Sequence, residues 1–135
     1  MNDYVLPDYL LVGKASTGDL LEKQNEIGLL IAGYPRDNEF IIRFEDGTQG
    51  VYKADDLLCL KTSQELFDHL EVQGAEMPKA DFRAMYNITL FLGHGTLRAQ
   101  KQAFKLAMSN ENIRQHSLLP LSEQLEIAGK RKVGR

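Results

Sequence analysis

Three histidines, one cysteine and the adjacent carboxylates Asp55 and Asp56 are where chemistry would first be sought in this chain of 135 residues. His69, His94 and His116 stand apart from one another, and none has a His, Cys or carboxylate at metal-ligand spacing. His69 follows Asp68 on a helical stretch and reads as a surface residue. His94 lies between Gly93 and Gly95. A histidine on such a segment could move protons near neutral pH, and the same Gly-His-Gly run also serves as a plain connection between helices. Asp55 and Asp56 could bind a cation or raise one another's pKa; the alternative is that one of them caps a single helical turn. Cys59 sits inside the apolar run Leu57–Leu60, where a buried inert thiol is expected, and a single cysteine excludes both an internal disulfide and a multi-cysteine zinc site. No phosphate-binding glycine loop, nucleophile elbow or dinucleotide fingerprint occurs. Asn87-Ile88-Thr89 matches the glycosylation pattern, but it falls within a helical stretch of a chain without a secretion signal. These residues predict a protein that is not an enzyme and needs no cofactor or metal. A small enzyme pairing His94 with an acid such as Asp55 or Asp56 is a second alternative.

Composition narrows the partners. The chain is 43% hydrophobic and 26% charged, values of a folded domain rather than a disordered one. No apolar run approaches the ~18 residues that span a membrane, and the N-terminus has no basic region of a signal peptide, so a cytoplasmic protein without membrane contact is expected. The formal charge is −3, unevenly spread. Residues 1–95 carry 8 Lys and Arg against 16 Asp and Glu, whereas residues 96–135 carry 8 against 3. The basic end either complements the acidic body, is simply solvated, or meets a phosphate backbone. In the last case the contacts would come from Arg98, Lys101 and Lys105, at i, i+3 and i+7 on one helix, and from Lys130, Arg131 and Lys132 in the tail. Phe104 falls with Leu97 and Met108 on another side of that helix, so no aromatic residue interleaves this stripe of cations to stack on bases, and only backbone contact is implied.

The elements that must position these residues fall into two kinds. Residues 4–12 are apolar but interrupted by Pro7, which suggests an edge strand or a packed arm, and 13–19 form a loop. Strands are predicted at 20–24, 26–34, 39–45, 49–53 and 57–60, with Phe40, Ile42 and Phe44 on one face and a hairpin turn at Asp46-Gly47. From Thr62 the pattern becomes helical. Thr62 and Glu65 fit a capping box opening a helix at 63–72, with Leu66, Phe67 and Leu70 inward and Gly74 at its end. Pro78 precedes a second helix, about 79–92, on which Phe82, Met85, Tyr86, Thr89 and Leu90 form a stripe that Ile88, Phe91 and Leu92 widen. A helix so apolar is buried on several sides or meets a partner. Gly93-His94-Gly95 should break it. Thr96 caps a third helix at about 97–109, Asn110-Glu111-Asn112 reads as a stop or kink, and a last helix is expected at 121–128 before a disordered tail.

Phe44-Glu45-Asp46-Gly47, Val51-Tyr52 and Asp55-Asp56-Leu57, preceded by EIGLLIAGYPRDNEFIIRF, give residues 19–60 their one family likeness. This block resembles a Tudor-like, SH3-fold small β-barrel. The resemblance implies a binding module. Phe44 matches one aromatic of the cage with which such domains hold methyl-lysine, whereas Gly50 stands where a second is common and residues 13–27 hold no aromatic at all. The expected fold is therefore α+β: a small SH3-like barrel with an N-terminal arm over 1–61, helices over 62–129, packed on the barrel or on a partner, and a basic tail at 130–135. The expected role is noncatalytic binding of a protein partner or self-association, through Tyr34, Phe40, Tyr52, Asp55 and Asp56 on the strands and Ile88 and Phe91 on the second helix. A nucleic-acid-associated accessory factor is the alternative.

Overall fold

Phe40 and Ile42 point into an apolar core while Glu39 and Arg43 point out, and this alternation of period two is what makes a half-buried strand. In the computed structural model of the chain, residues 6–13 and 23–126 are described. Among them are six strands: β1 (Tyr9–Val12), β2 (Ile27–Tyr34), β3 (Glu39–Arg43), β4 (Gln49–Tyr52), β5 (Leu57–Leu60) and β6 (Leu118–Pro120). They form one antiparallel sheet in the order β4-β3-β2-β1-β5-β6. The architecture is α+β, and the sheet is open, with β4 and β6 at its edges.

The N-terminal segment is not an edge strand. β1 pairs with both β2 and β5, and Leu10, Leu11 and Val12 are buried. Pro7 lies just before β1, so its missing N–H costs the ladder nothing. The expected strand at 20–24 falls partly outside the described residues, and its end is a turn instead: Asn25 adopts a left-handed conformation (φ 68°) and its N–H donates to Val12. The Asp46-Gly47 turn forms as expected. Gly47 takes φ 87° and donates to the Phe44 carbonyl, while the Phe44 N–H donates to Thr48. Three residues thus separate the paired ends, the pattern of a type I turn closed by a left-handed glycine.

A single 3-10 turn, Ala54–Asp56, joins β4 to β5. Its N-cap is Lys53, so neither Asp55 nor Asp56 takes the capping role expected of them. The Ala54 N–H is satisfied from elsewhere, by the Asn38 side chain at 2.9 Å. Asn38 can reach because it is itself left-handed (φ 54°) at the end of the β2–β3 turn, a conformation asparagine tolerates better than most residues.

The chain divides into two units. Among the described residues, the strand unit holds those up to Cys59 and those from Leu119 onward; its core joins Leu10, Val12, Phe40, Ile42, Phe44, Tyr52, Leu57 and Cys59 to Leu119 and Leu121. Residues 121–126, the described part of the expected last helix, are helical and belong here rather than with the other helices. Cys59 is buried as expected, and its thiol donates to the Leu119 carbonyl at 3.6 Å.

The helical unit, Leu60–Leu118, is inserted between β5 and β6. It contains α1 (Ser63–Gln73), α2 (Lys79–His94), α3 (Leu97–Ala107) and α4 (Glu111–Ser117). The capping box is present: Thr62 Oγ1 accepts from Glu65 N–H at 3.1 Å and Glu65 Oε1 accepts from Thr62 N–H at 3.3 Å. Thr96 caps α3. Two expectations change. α2 runs on through Gly93 and His94 and stops only at left-handed Gly95 (φ 71°), because one glycine lowers helix stability without breaking a packed helix. Asn110 does not simply stop the chain; it caps α4, accepting from Ile113 N–H at 2.9 Å. The Asn110 and Asn112 side-chain amides both donate to Asp81 on α2, at 3.0 and 2.8 Å. The Lys61 N–H donates to the Ser117 carbonyl, tying the two ends of the unit together.

Asn38→Ala should lower stability by about 1–2 kcal/mol in urea unfolding, from the lost hydrogen bond and the strained φ, and Asn38→Gly should recover the part due to φ.

Candidate protein-binding surface

α2 carries two apolar faces, and only one is used inside the helical unit. Met85, Ile88 and Thr89 are buried; the Thr89 hydroxyl is satisfied by donating to the Tyr86 carbonyl at 2.5 Å. About a quarter-turn away, Phe82, Tyr86 and Leu90 lie at i, i+4 and i+8 and are 36, 42 and 47% exposed. α1 adds Phe67, 39% exposed and not inward as its spacing suggested. The Phe67 and Tyr86 rings meet edge-on with centroids 6.2 Å apart, and Phe82 and Tyr86 are nearly parallel at 6.5 Å. Gly74 lets Phe82 seat here: a Cβ at this glycine would come within 2.6 Å of the Phe82 ring. Aromatic side chains grouped and half out of water are the commonest anchors of protein interfaces, since each offers a large rigid area at little entropic cost.

This face differs from the one the sequence suggested. Ile88 is fully buried and Phe91 half-buried, so on α2 the outward apolar residues are Phe82, Tyr86 and Leu90. A period of 3.6 marks both stripes equally and cannot say which one faces the core. On the strand unit, Phe40 is fully buried and Tyr52 nearly so, the latter in edge-to-face contact with Phe44 at 6.1 Å. Both take core positions. Tyr34 is 52% exposed at the end of β2, Asp55 is exposed and Asp56 half-buried.

Phe44 has a cation of the chain's own. Lys23 Nζ stands 5.2 Å from its ring centroid and 2.6 Å from Asp46 Oδ2. Asp46 also accepts from the Thr48 N–H and hydroxyl at 2.9 and 2.6 Å. These bonds, Lys23 first, hold the Asp46 carboxyl well below the usual carboxylate range. The Asp-Gly turn is thereby locked by charge as well as by φ.

Of the basic residues, Arg98 and Lys105 are exposed on α3 and Lys101 is half-buried; Lys130, Arg131 and Lys132 lie outside the described residues. His94 is exposed as the last residue of α2. No group of three or more His, Cys, Asp or Glu is gathered among the described residues.

The other histidines, far apart in sequence, come together. His69 on α1 and His116 on α4 have ring centroids 4.5 Å apart at 33°. His69 Nε2 is buried without a hydrogen-bond partner. Burial first, then the neighbouring charges of His116 and Lys61, push the His69 pKa below its ordinary value. The expectation of a plain surface histidine missed this, because nothing in the local sequence marks a partner 47 residues on.

No protein-family model, curated protein or solved structure matches the chain.

A histidine whose folded pKa is lowered contributes stability that is present above its unfolded value of about 6.5 and is lost as pH falls through the lowered folded value. The melting temperature should therefore drop as the pH falls below about 6.5, and His69→Gln should flatten that slope.

Proposed function

We propose that the protein is a noncatalytic binding or adaptor protein that engages a protein partner through the α1–α2 face. The observation that carries this reading is the exposed cluster of Phe67, Phe82, Tyr86 and Leu90. Isolated surface apolar side chains are ordinary, but four gathered across two helices are the kind of patch that marks an interaction site.

The strand unit fits this role as a small SH3-like barrel in partly opened form. Three features support that reading. β2, β3 and β4 form a meander, and β1 joins it to β5, so the first and fifth strands are neighbours. A register shift between Leu30 and Ala32 marks a bulge in β2, the usual device for bending a strand. The connection from β4 to β5 is one short 3-10 turn, which re-aims the chain without a long loop. In that fold the exposed Tyr34 and Asp55 remain candidate contacts for a peptide, while Phe40 and Tyr52 support them from within.

A pull-down with the full chain from native lysate tests the binding role. Protein should be retained after nuclease treatment and lost with Tyr86→Ala. Retention that vanishes with nuclease, or that survives Tyr86→Ala unchanged, counts against the face.

The exposed Arg98 and Lys105 on α3 favour a second reading, contact with a nucleic-acid backbone. It predicts a mobility shift of DNA or RNA at low salt that Arg98→Glu with Lys105→Glu abolishes; no shift removes this reading.

A further inference from the structure

We propose that the α1–α2 face is the two-fold interface of a homodimer; this rests on the protein-binding reading above and names the partner as a second copy of the chain. The argument is the arrangement of charge around the aromatic strip. On α1, Glu71 is one turn from Phe67 and Asp68 lies further round the same outer side; both are exposed. On α2, Lys79 and Arg83 lie one turn before Phe82 and Tyr86 respectively, on the outer side of that helix, and both are exposed. The strip therefore has an acidic border on one side and a basic border on the other, which makes it complementary to itself.

The two-fold axis of a face-to-face dimer lies within the interface. If it ran across the groove between α1 and α2, acids would meet acids. Running along the groove, it exchanges the two sides and leaves height along the groove unchanged, so each acidic border faces a basic one. The heights also agree. Phe67 is level with Tyr86, whose ring it touches, and Gly74 is level with Phe82, whose ring covers it. Glu71 falls between Phe67 and Gly74 on α1, and Arg83 falls between Phe82 and Tyr86 on α2. The same axis thus sets Glu71 of one copy opposite Arg83 of the other, with the aromatic rings of both copies enclosed between. Aromatic residues at the centre with charged residues, arginine among them, at the rim is the composition that protein interfaces favour.

Light scattering coupled to size exclusion, on the full chain over a range of concentrations, tests the proposal. The expected result is twice the chain mass, falling toward the chain mass on dilution. Glu71→Arg alone and Arg83→Glu alone should each weaken the dimer about tenfold or more by placing like charges opposite one another, and the two together should restore it. Circular dichroism establishes that each variant is folded; all substituted positions are exposed, and Tyr86→Ala serves as a second, charge-independent variant that should also dissociate the dimer. A chain that stays monomeric at high concentration overturns the proposal, as does a dimer indifferent to these substitutions. Either result leaves the binding role standing if a different protein is still captured from lysate in a Tyr86-dependent way; loss of both disposes of the face altogether.

Discussion

Cys59 and Leu119 are separated by 60 positions in the chain and joined by a hydrogen bond in the strand unit. Everything between them, the whole helical unit, is a detour that leaves the sheet after β5 and must return as β6. The return is secured by burial. Leu119 and Leu121 complete the apolar core formed by Leu10, Val12, Phe40, Ile42, Phe44 and Leu57. Bringing such distant segments together costs loop-closure entropy, though that cost rises only slowly with loop length. The helical unit reduces it further by tying its own ends, Lys61 to Ser117. Pro120 at the edge of the sheet fits the place where its missing N–H does no harm.

The helical unit solves a different problem. Its helices are short, and their stability comes from caps and packing more than from intrinsic propensity. Thr62 with Glu65, Thr96 and Asn110 each satisfy backbone groups that would otherwise be left open at a helix start. Asp81 then binds both amides at the beginning of α4, so the cap of one helix is also a clasp to another. With the inner face of α2 occupied by Met85, Ile88 and Thr89, its second apolar face is left to solvent or to a partner. The binding reading and the dimer both follow from that surplus.

Much of the local structure could be read from residue types alone. The Asp46-Gly47 turn, the capping box at Thr62 and Glu65, the cap at Thr96 and the helical stretches of α1, α2 and α3 are local, set by residues within four positions of one another. The misses are of two sorts. Asn110 announces a helix start as clearly as a stop, and only the seven residues that follow, packed as α4, decide between them. The strand character of Leu118–Pro120 has no local signal, since three apolar residues form a strand only if another strand accepts them. The candidate surface was half legible. That α2 was too apolar for a single buried face was plain from its composition; that Phe82, Tyr86 and Leu90, and not Ile88, lie outward was not.

By itself, the sequence determined the types and approximate limits of most elements, the absence of metal-ligand spacing among its histidines, the division between a strand-rich and a helical part, and the excess of apolar surface on α2. These depend on short-range rules of turn, cap and period. Only the tertiary structure decided that β1 is a central strand, that the chain returns to the sheet after the helices, that Asn38 serves the turn at Ala54, that His69 meets His116, and which face of α2 is free. Each of those depends on which distant residues compete for the same apolar volume or the same unpaired N–H, and a pattern along one segment carries no information about its competitors.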